Sequence, residues 1–158
     1  MPFPMEQQQE PDWCWNAVSV SVNNYFNPAL PLTQDEFAVR ALGADANRPF
    51  YLSTALADLE LMNGAPIAGF LSFSEIQAQL DANLPVCVKI AWNEGGFHYL
   101  VITGYAVSPG GDPLVYISDP ILMDSNVAVW DYNAFVFAYS PSYANAEGTW
   151  VDTLLVQP

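Results

Sequence analysis

The pattern of apolar positions changes period half-way along this chain. In the first half, apolar residues fall into segments bounded by helix start and stop signals. A helix is predicted from about Trp13 to Tyr25, because Pro28 and Pro31 in "FNPALP" forbid its continuation. "TQDEFAVRAL" sets Glu36 three residues after Thr33, the capping-box spacing in which each side chain satisfies the other residue's backbone N–H, and the segment closes at Gly43. "STALADLELMNG" reads as a third helix ending at Gly64. "SFSEIQAQLDAN" offers Ser72 and Glu75 as a second capping box. Residues 1–13 read as extended.

The second half consists of β-branched and aromatic runs. They are "PVCVKIAW" (Pro85–Trp92), "HYLVITGYAV" (His98–Val107), "LVYISD" (Leu114–Asp119), "VAVW" (Val127–Trp130) and "WVDTLLV" (Trp150–Val156). Turn-forming stretches separate them: "NEGG", "SPGGDP" and "DPILMDSN". A short helix over Tyr132–Tyr139 interrupts the last pair. Helices followed by strands, without βαβ alternation, predict an α+β fold with an antiparallel sheet. We expect one domain over residues 1–158, mainly helical over about 13–84 and mainly β over 85–158, with the opening helix packed on the sheet.

Composition narrows the function classes. Hydrophobic residues make up 52% of the 158 and aromatics 14%, enough for a packed core. Only 13% are charged, against about 25% in an average globular domain. The net charge is −14, and Arg40, Arg48 and Lys89 are the three strong cations. A phosphate backbone needs several Lys or Arg contacts, so nucleic acid is an improbable partner, and an anionic membrane surface is disfavoured for the same reason. No apolar run reaches the roughly 18 residues of a membrane span. The start, "MPFPMEQQQEP", lacks the positive and apolar regions of a signal peptide. The two cysteines, Cys14 and Cys87, do not make a disulfide framework, though one bridge is open to them. Cys87 alternates with Val86 and Val88 and reads as packing on one face of a buried strand. No C-x2-C or H-x3-H spacing supports a zinc site, and no metal or organic cofactor is expected. A monomer is the expected state.

Three residue types suited to nucleophilic catalysis remain. Cys14 stands between Trp13 and Trp15 at the predicted start of the first helix. A thiol attacks as its thiolate, which the positive end of a helix dipole and a neighbouring imidazolium both favour. The single histidine, His98, follows Gly95-Gly96 at a strand start, and Asp119 ends the next strand in "VYISDP". If these two strands are antiparallel neighbours, His98 and Asp119 share one edge of the sheet, and Asp119 also suits a turn before Pro120. The chemistry asks for a thiolate, an imidazole and a group that orients the imidazole. Gln8 offers an amide donor for the negative charge on an attacked carbonyl, beside the backbone N–H of Cys14, with Gln7 and Gln9 as rivals. One of Trp13 and Trp15 is expected in the core and the other along the cleft, with Trp15, Gly96, Phe97 and Tyr99 as candidate cleft residues.

The run "Q-x5-C-W" opening a helix, then "GGFHYLVITGY", then "SDP", resembles papain-like cysteine peptidases. The nearest likeness is to the compact bacterial group that includes the AvrRpt2-type effector peptidases and related C39-like domains. It covers roughly Gln8 to Pro120. The resemblance implies a papain-like fold, a peptide or protein substrate, Cys14 as nucleophile, His98 as general base and then acid, Asp119 as orienting group and Gln8 as oxyanion donor. It also implies a bacterial origin, in the cytoplasm or exported by a signal-independent route. Asn16 stands where that group has alanine, and Phe97 intrudes between Gly96 and His98. The C-G-S-C-W signature of the larger plant and lysosomal enzymes is absent. Two other readings use the same residues: an acyltransferase or deamidase working through the same thioester, and an inactive papain-like binding module.

Overall fold

The computed structural model describes residues 1–43, 46–122 and 127–158. Residues 123–126, within the predicted turn "DPILMDSN", lie outside the described residues. Among the described residues five helices form, α1 (Cys14–Phe26), α2 (Gln34–Leu42), α3 (Leu52–Asp58), α4 (Phe73–Asp81) and α5 (Tyr132–Phe137). Six strands form one sheet: β1 (Ile67–Ala68), β2 (Val86–Trp92), β3 (Phe97–Val107), β4 (Pro113–Ser118), β5 (Val127–Asp131) and β6 (Gly148–Leu155). The strand order is β1-β6-β2-β3-β4-β5, and every pairing is antiparallel. The expected α+β architecture is what forms.

Local chemistry explains most of these elements. Thr33 and Glu36 form a reciprocal capping box at the start of α2, and Ser72 and Glu75 do the same for α4. β2 and β3 are apolar at consecutive residues because the sheet is covered on both faces. Cys87, Tyr99, Val101 and Leu154 pack with α1 and α3 in one cluster. Val86, Val88, Leu100, Ile102 and Trp150 pack with α4 and α5 in the other. Cys87 is fully buried, which pushes its thiol pKa up to about 12, and both cysteines are free.

Two features depart from the sequence expectation. The third helix ends at Asp58 rather than at Gly64. Glu60 takes a left-handed backbone with φ of 61°, and Leu61 donates its N–H to the Leu56 carbonyl at 2.9 Å. Met62 then pairs with Val156, and Asn63 donates to the Leu155 carbonyl at 2.9 Å. Pairing with the end of β6 replaces the last helical turn. The second feature is β1, two exposed residues that add an edge strand to β6.

Candidate active site

Cys14 begins α1, where no side chain caps the helix. The first-turn amides of such a helix have no intrahelical partner, and their dipoles favour negative charge beside them. Two flanking indoles hold this end in place. Trp13 Nε1 donates to the Ala46 carbonyl at 2.9 Å, and Trp15 Nε1 donates to the Arg48 carbonyl at 3.1 Å. Both rings are buried; Trp15 packs against Phe37 and Phe50 and also forms part of the cleft wall. The Asn16 amide donates to the Gln34 carbonyl at 2.8 Å, tying the start of α1 to that of α2.

His98 is the second residue of β3, and Asp119 directly follows β4. The β3–β4 register brings Val101 opposite Ser118, so the two residues meet at one end of the sheet. His98 Nε2 lies 2.9 Å from Asp119 Oδ1. The Cys14 thiol lies close enough to the His98 ring to help raise its pKa, and both line one cleft. With Nε2 taken by Asp119, the ring's Nδ1 is the nitrogen left for the sulfur. His98 is 3% exposed and Asp119 0%, so the pair sits out of water.

Burial alone would strip the proton from His98. The Asp119 carboxylate, with a smaller contribution from Cys14, outweighs that and pushes the His98 pKa up to about 10. Burial in turn raises the pKa of Asp119. The His98 charge and hydrogen bonds from His98, Tyr143 and the Ile121 N–H outweigh it and hold Asp119 below its ordinary 3.8. The imidazolium–carboxylate pair is therefore the favoured state near neutral pH.

Among the described residues, Asp119 accepts four hydrogen bonds. Oδ1 takes His98 Nε2 and the Ile121 N–H, each at 2.9 Å. Oδ2 takes the hydroxyls of Tyr139 at 2.8 Å and Tyr143 at 2.6 Å. The Ile121 bond is the turn that "SDP" suggests, so the turn role and the contact with His98 coexist. Trp92, at the end of β2, stacks on the His98 ring with centroids 6.1 Å apart and planes 18° apart. Trp92, Tyr139 and Tyr143 escape the sequence reading. Trp92 carries a local signal, since it precedes the "NEGG" hairpin that leads to His98. The two tyrosines carry none.

A cleft of about 260 Å³ opens over Cys14 and His98, with Gln8, Pro11, Asp12, Trp15, Gly96 and Phe97 among its walls. Gly96 has φ of 83°, a left-handed backbone that disfavours any side chain at this lip. Gln8 is the glutamine of its run that reaches the cleft, whereas Gln7 and Gln9 are exposed. The Gln8 amide nitrogen donates to the carbonyls of Glu10 at 3.1 Å and Pro11 at 2.8 Å, while its buried oxygen has no partner. Its backbone N–H donates to the Pro120 carbonyl at 2.9 Å, coupling it to the turn after Asp119. Tyr99 is not brought to this cleft. It is 2% exposed, packs in the α1-side cluster, and lines a separate depression with Lys89 and Asp152. A neighbouring apolar depression of about 410 Å³, lined by Arg48, Pro49, Phe50, Tyr51 and Phe97, shares Pro49 and Phe97 with the cleft.

A family model for the papain-like cysteine protease AvrRpt2 matches residues 1–136. The chain belongs to that family. No curated protein matches it. As a papain-like cysteine protease it is a hydrolase acting on peptide or protein substrates, in agreement with the resemblance carried by the "WCWNA", "GGFHYLVITGY" and "SDP" segments. Cys14, His98 and Asp119 all lie within the matched stretch of this AvrRpt2-type protease, whereas Tyr139 and Tyr143 lie beyond it.

Proposed function

We propose that this protease cleaves peptide bonds through a thioester on Cys14, with His98 and Asp119 completing a catalytic triad. The observation that supports this is the meeting of a helix-start thiol and the chain's single imidazole on one cleft, with a fully buried carboxylate bonded to that imidazole. His98, charged and bonded through Nε2 to Asp119, gives its other N–H to the sulfur. The thiolate attacks the scissile carbonyl carbon and forms the C–S bond. Negative charge moves to the carbonyl oxygen, which the Cys14 backbone N–H and the Gln8 amide hold. Gln8 becomes free to do so when it releases the longer of its two bonds, that to Glu10 at 3.1 Å. The C–N bond then breaks, and His98 protonates the departing amine. Water attacks the thioester, His98 takes its proton, and the C–S bond breaks to restore the thiolate.

The test is product analysis in water labelled with heavy oxygen, using a library of synthetic peptides as substrate. We expect cleaved peptides with one heavy oxygen in each new C-terminal carboxylate, and none from Cys14→Ala or His98→Ala. Amine adducts without cleavage would replace this reading by acyl transfer, and glutamine converted to glutamate without cleavage would replace it by deamidation. Cleavage that survives Cys14→Ala would overturn the role of the thiol. In parallel, iodoacetamide should label Cys14 rapidly relative to the buried Cys87, and His98→Ala should abolish that rapid labelling.

A further inference from the structure

A buried carboxylate is costly unless its oxygens are bonded. Asp119 is 0% exposed, and among the described residues its ion pair is with His98 alone. Among the described residues, the groups facing it are His98 from β3, the Ile121 N–H from its own turn, and the hydroxyls of Tyr139 and Tyr143; Cys14 of α1 acts on His98 in turn. No lysine or arginine contacts Asp119 among the described residues. Among the described residues, the neutral-donor support for Oδ2 comes from the two phenols.

Those phenols are held in place by the end of the chain. Tyr139 follows α5 and is fully buried among Trp92, Trp130 and Phe135. Its backbone exchanges two hydrogen bonds with Gly148, of 2.9 and 2.8 Å, which closes the base of the loop between them. An Ala144 to Pro141 bond of 3.0 Å shapes that loop, and Tyr143 at its tip reaches Asp119 with its ring edge-on to His98, centroids 6.2 Å apart. Each hydroxyl donates to a carboxylate in a dry site, where a charge-assisted bond is strongest. Burial and the Asp119 charge raise the pKa of both phenols, so both stay protonated as donors.

We propose that Tyr139 and Tyr143 are positioning residues of the active site, clamping Asp119 as a carboxylate through Oδ2 so that Oδ1 holds the His98 ring in line with Cys14. The proposal rests on the triad described above. Both residues lie outside the 1–136 stretch matched by the family model, so the C-terminal segment supplies part of the catalytic support. The hydroxyls stabilise Asp119 as a carboxylate whether His98 is charged or neutral. Removing them should therefore move the protonation of Asp119 and leave the deprotonation of His98 nearly unchanged.

His98 is the one histidine in the chain, so its ring signals in NMR are unambiguous. We would titrate them in the wild type, Tyr143→Phe, Tyr139→Phe and the double variant, with iodoacetamide labelling of Cys14 measured alongside. The expected result is an acid-side transition raised by about one pH unit for each hydroxyl lost, with the alkaline-side transition in place. The acid limb of kcat/KM on a cleaved peptide should move the same way in the double variant. A merely structural role would lower Tm and leave both transitions where they are, and that result would overturn the proposal. If the double variant fails to fold, Tyr143→Phe alone decides, because Tyr143 is only partly buried. Slow, His98-independent labelling of wild-type Cys14 would sink the triad reading. Rapid wild-type labelling with unmoved transitions in the variants would sink the tyrosine proposal alone.

Discussion

The indole of Trp92 lies nearly parallel to two rings, His98 with centroids 6.1 Å apart and Tyr139 with centroids 6.0 Å apart, at interplanar angles of 18° and 19°. This stack links the end of β2 to the buried His98–Asp119 pair and to the residue that donates to Asp119 Oδ2. Water kept away from the pair's hydrogen bond cannot compete for it, and an ion pair in a low-dielectric site is the stronger for it. Trp92→Ala should therefore cost on the order of 10²-fold in kcat, the scale of a misplaced catalytic group, with KM little changed. Trp92→Phe should restore most of the rate. Steady-state kinetics of the two variants on one peptide checks this, and equal losses in both would show that ring cover is not what matters.

The same stack is sensitive to a residue that has no side chain. A Cβ built on Gly148 would stand 2.3 Å from Ile90 Cγ2 and 2.8 Å from Trp92 Cε3. Gly148 is also the backbone partner of Tyr139. Gly148→Ala should overpack this point and cost about 1–3 kcal/mol, a fall in Tm of roughly 2–10 °C. Because Trp92 must move, kcat should fall as well. Calorimetry and kinetics on this variant test both parts, and an unchanged Tm would mean that β2 and β6 separate more easily than their packing implies.

The local half of this architecture was legible from residues alone. Both capping boxes are short-range chemistry, and the sheet follows from β-branched runs between turns. The contact of His98 with Asp119 followed from antiparallel strands sharing an edge, an inference about topology rather than about any one residue. What stayed hidden depends on distant partners. Glu60 leaves the helix because Met62 meets Val156 at the far end of the chain. Nothing in "AYSPSY" announces that its two phenols will meet a carboxylate 20 and 24 residues away. Tyr99 illustrates the limit from the other side. Proximity in sequence to His98 suggested the cleft, but the strand carries its ring into the α1-side cluster instead.

The His98–Asp119 pair also makes a signed prediction for stability. His98 is raised from 6.5 to about 10 in the folded protein, so its contribution is fully present below pH 6.5 and is lost as pH rises through about 10. Asp119 is lowered from 3.8, so its contribution is present above pH 3.8 and is lost as pH falls through its folded-state value. The stabilisation from the pair is thus greatest between those two unfolded values. Urea melts of the wild type and Asp119→Asn across the pH range should show a difference that is widest there and shrinks on the alkaline side. A difference that grows toward alkaline pH would contradict the ion-pair state.

Gln8 is distinguished from its neighbours by where its side chain ends. It reaches the cleft, while Gln7 and Gln9 contribute backbone groups to the Gln34 clamp and leave their side chains exposed. A donor that stabilises charge only in the transition state lowers kcat when removed and leaves KM nearly alone. Gln8→Ala should then lose about 10²–10³-fold in kcat, the range for one oxyanion donor, while Gln7→Ala and Gln9→Ala keep wild-type rates. Gln8 also ties down the Glu10 and Pro11 carbonyls, so a purely structural effect has to be separated from a catalytic one. Binding of a peptide aldehyde does so, because the thiohemiacetal it forms on Cys14 places an oxygen where the oxyanion forms. Weakened aldehyde capture with unchanged Tm marks Gln8 as an oxyanion donor. Lowered Tm with unchanged capture marks it as a strut for the turn that precedes Cys14.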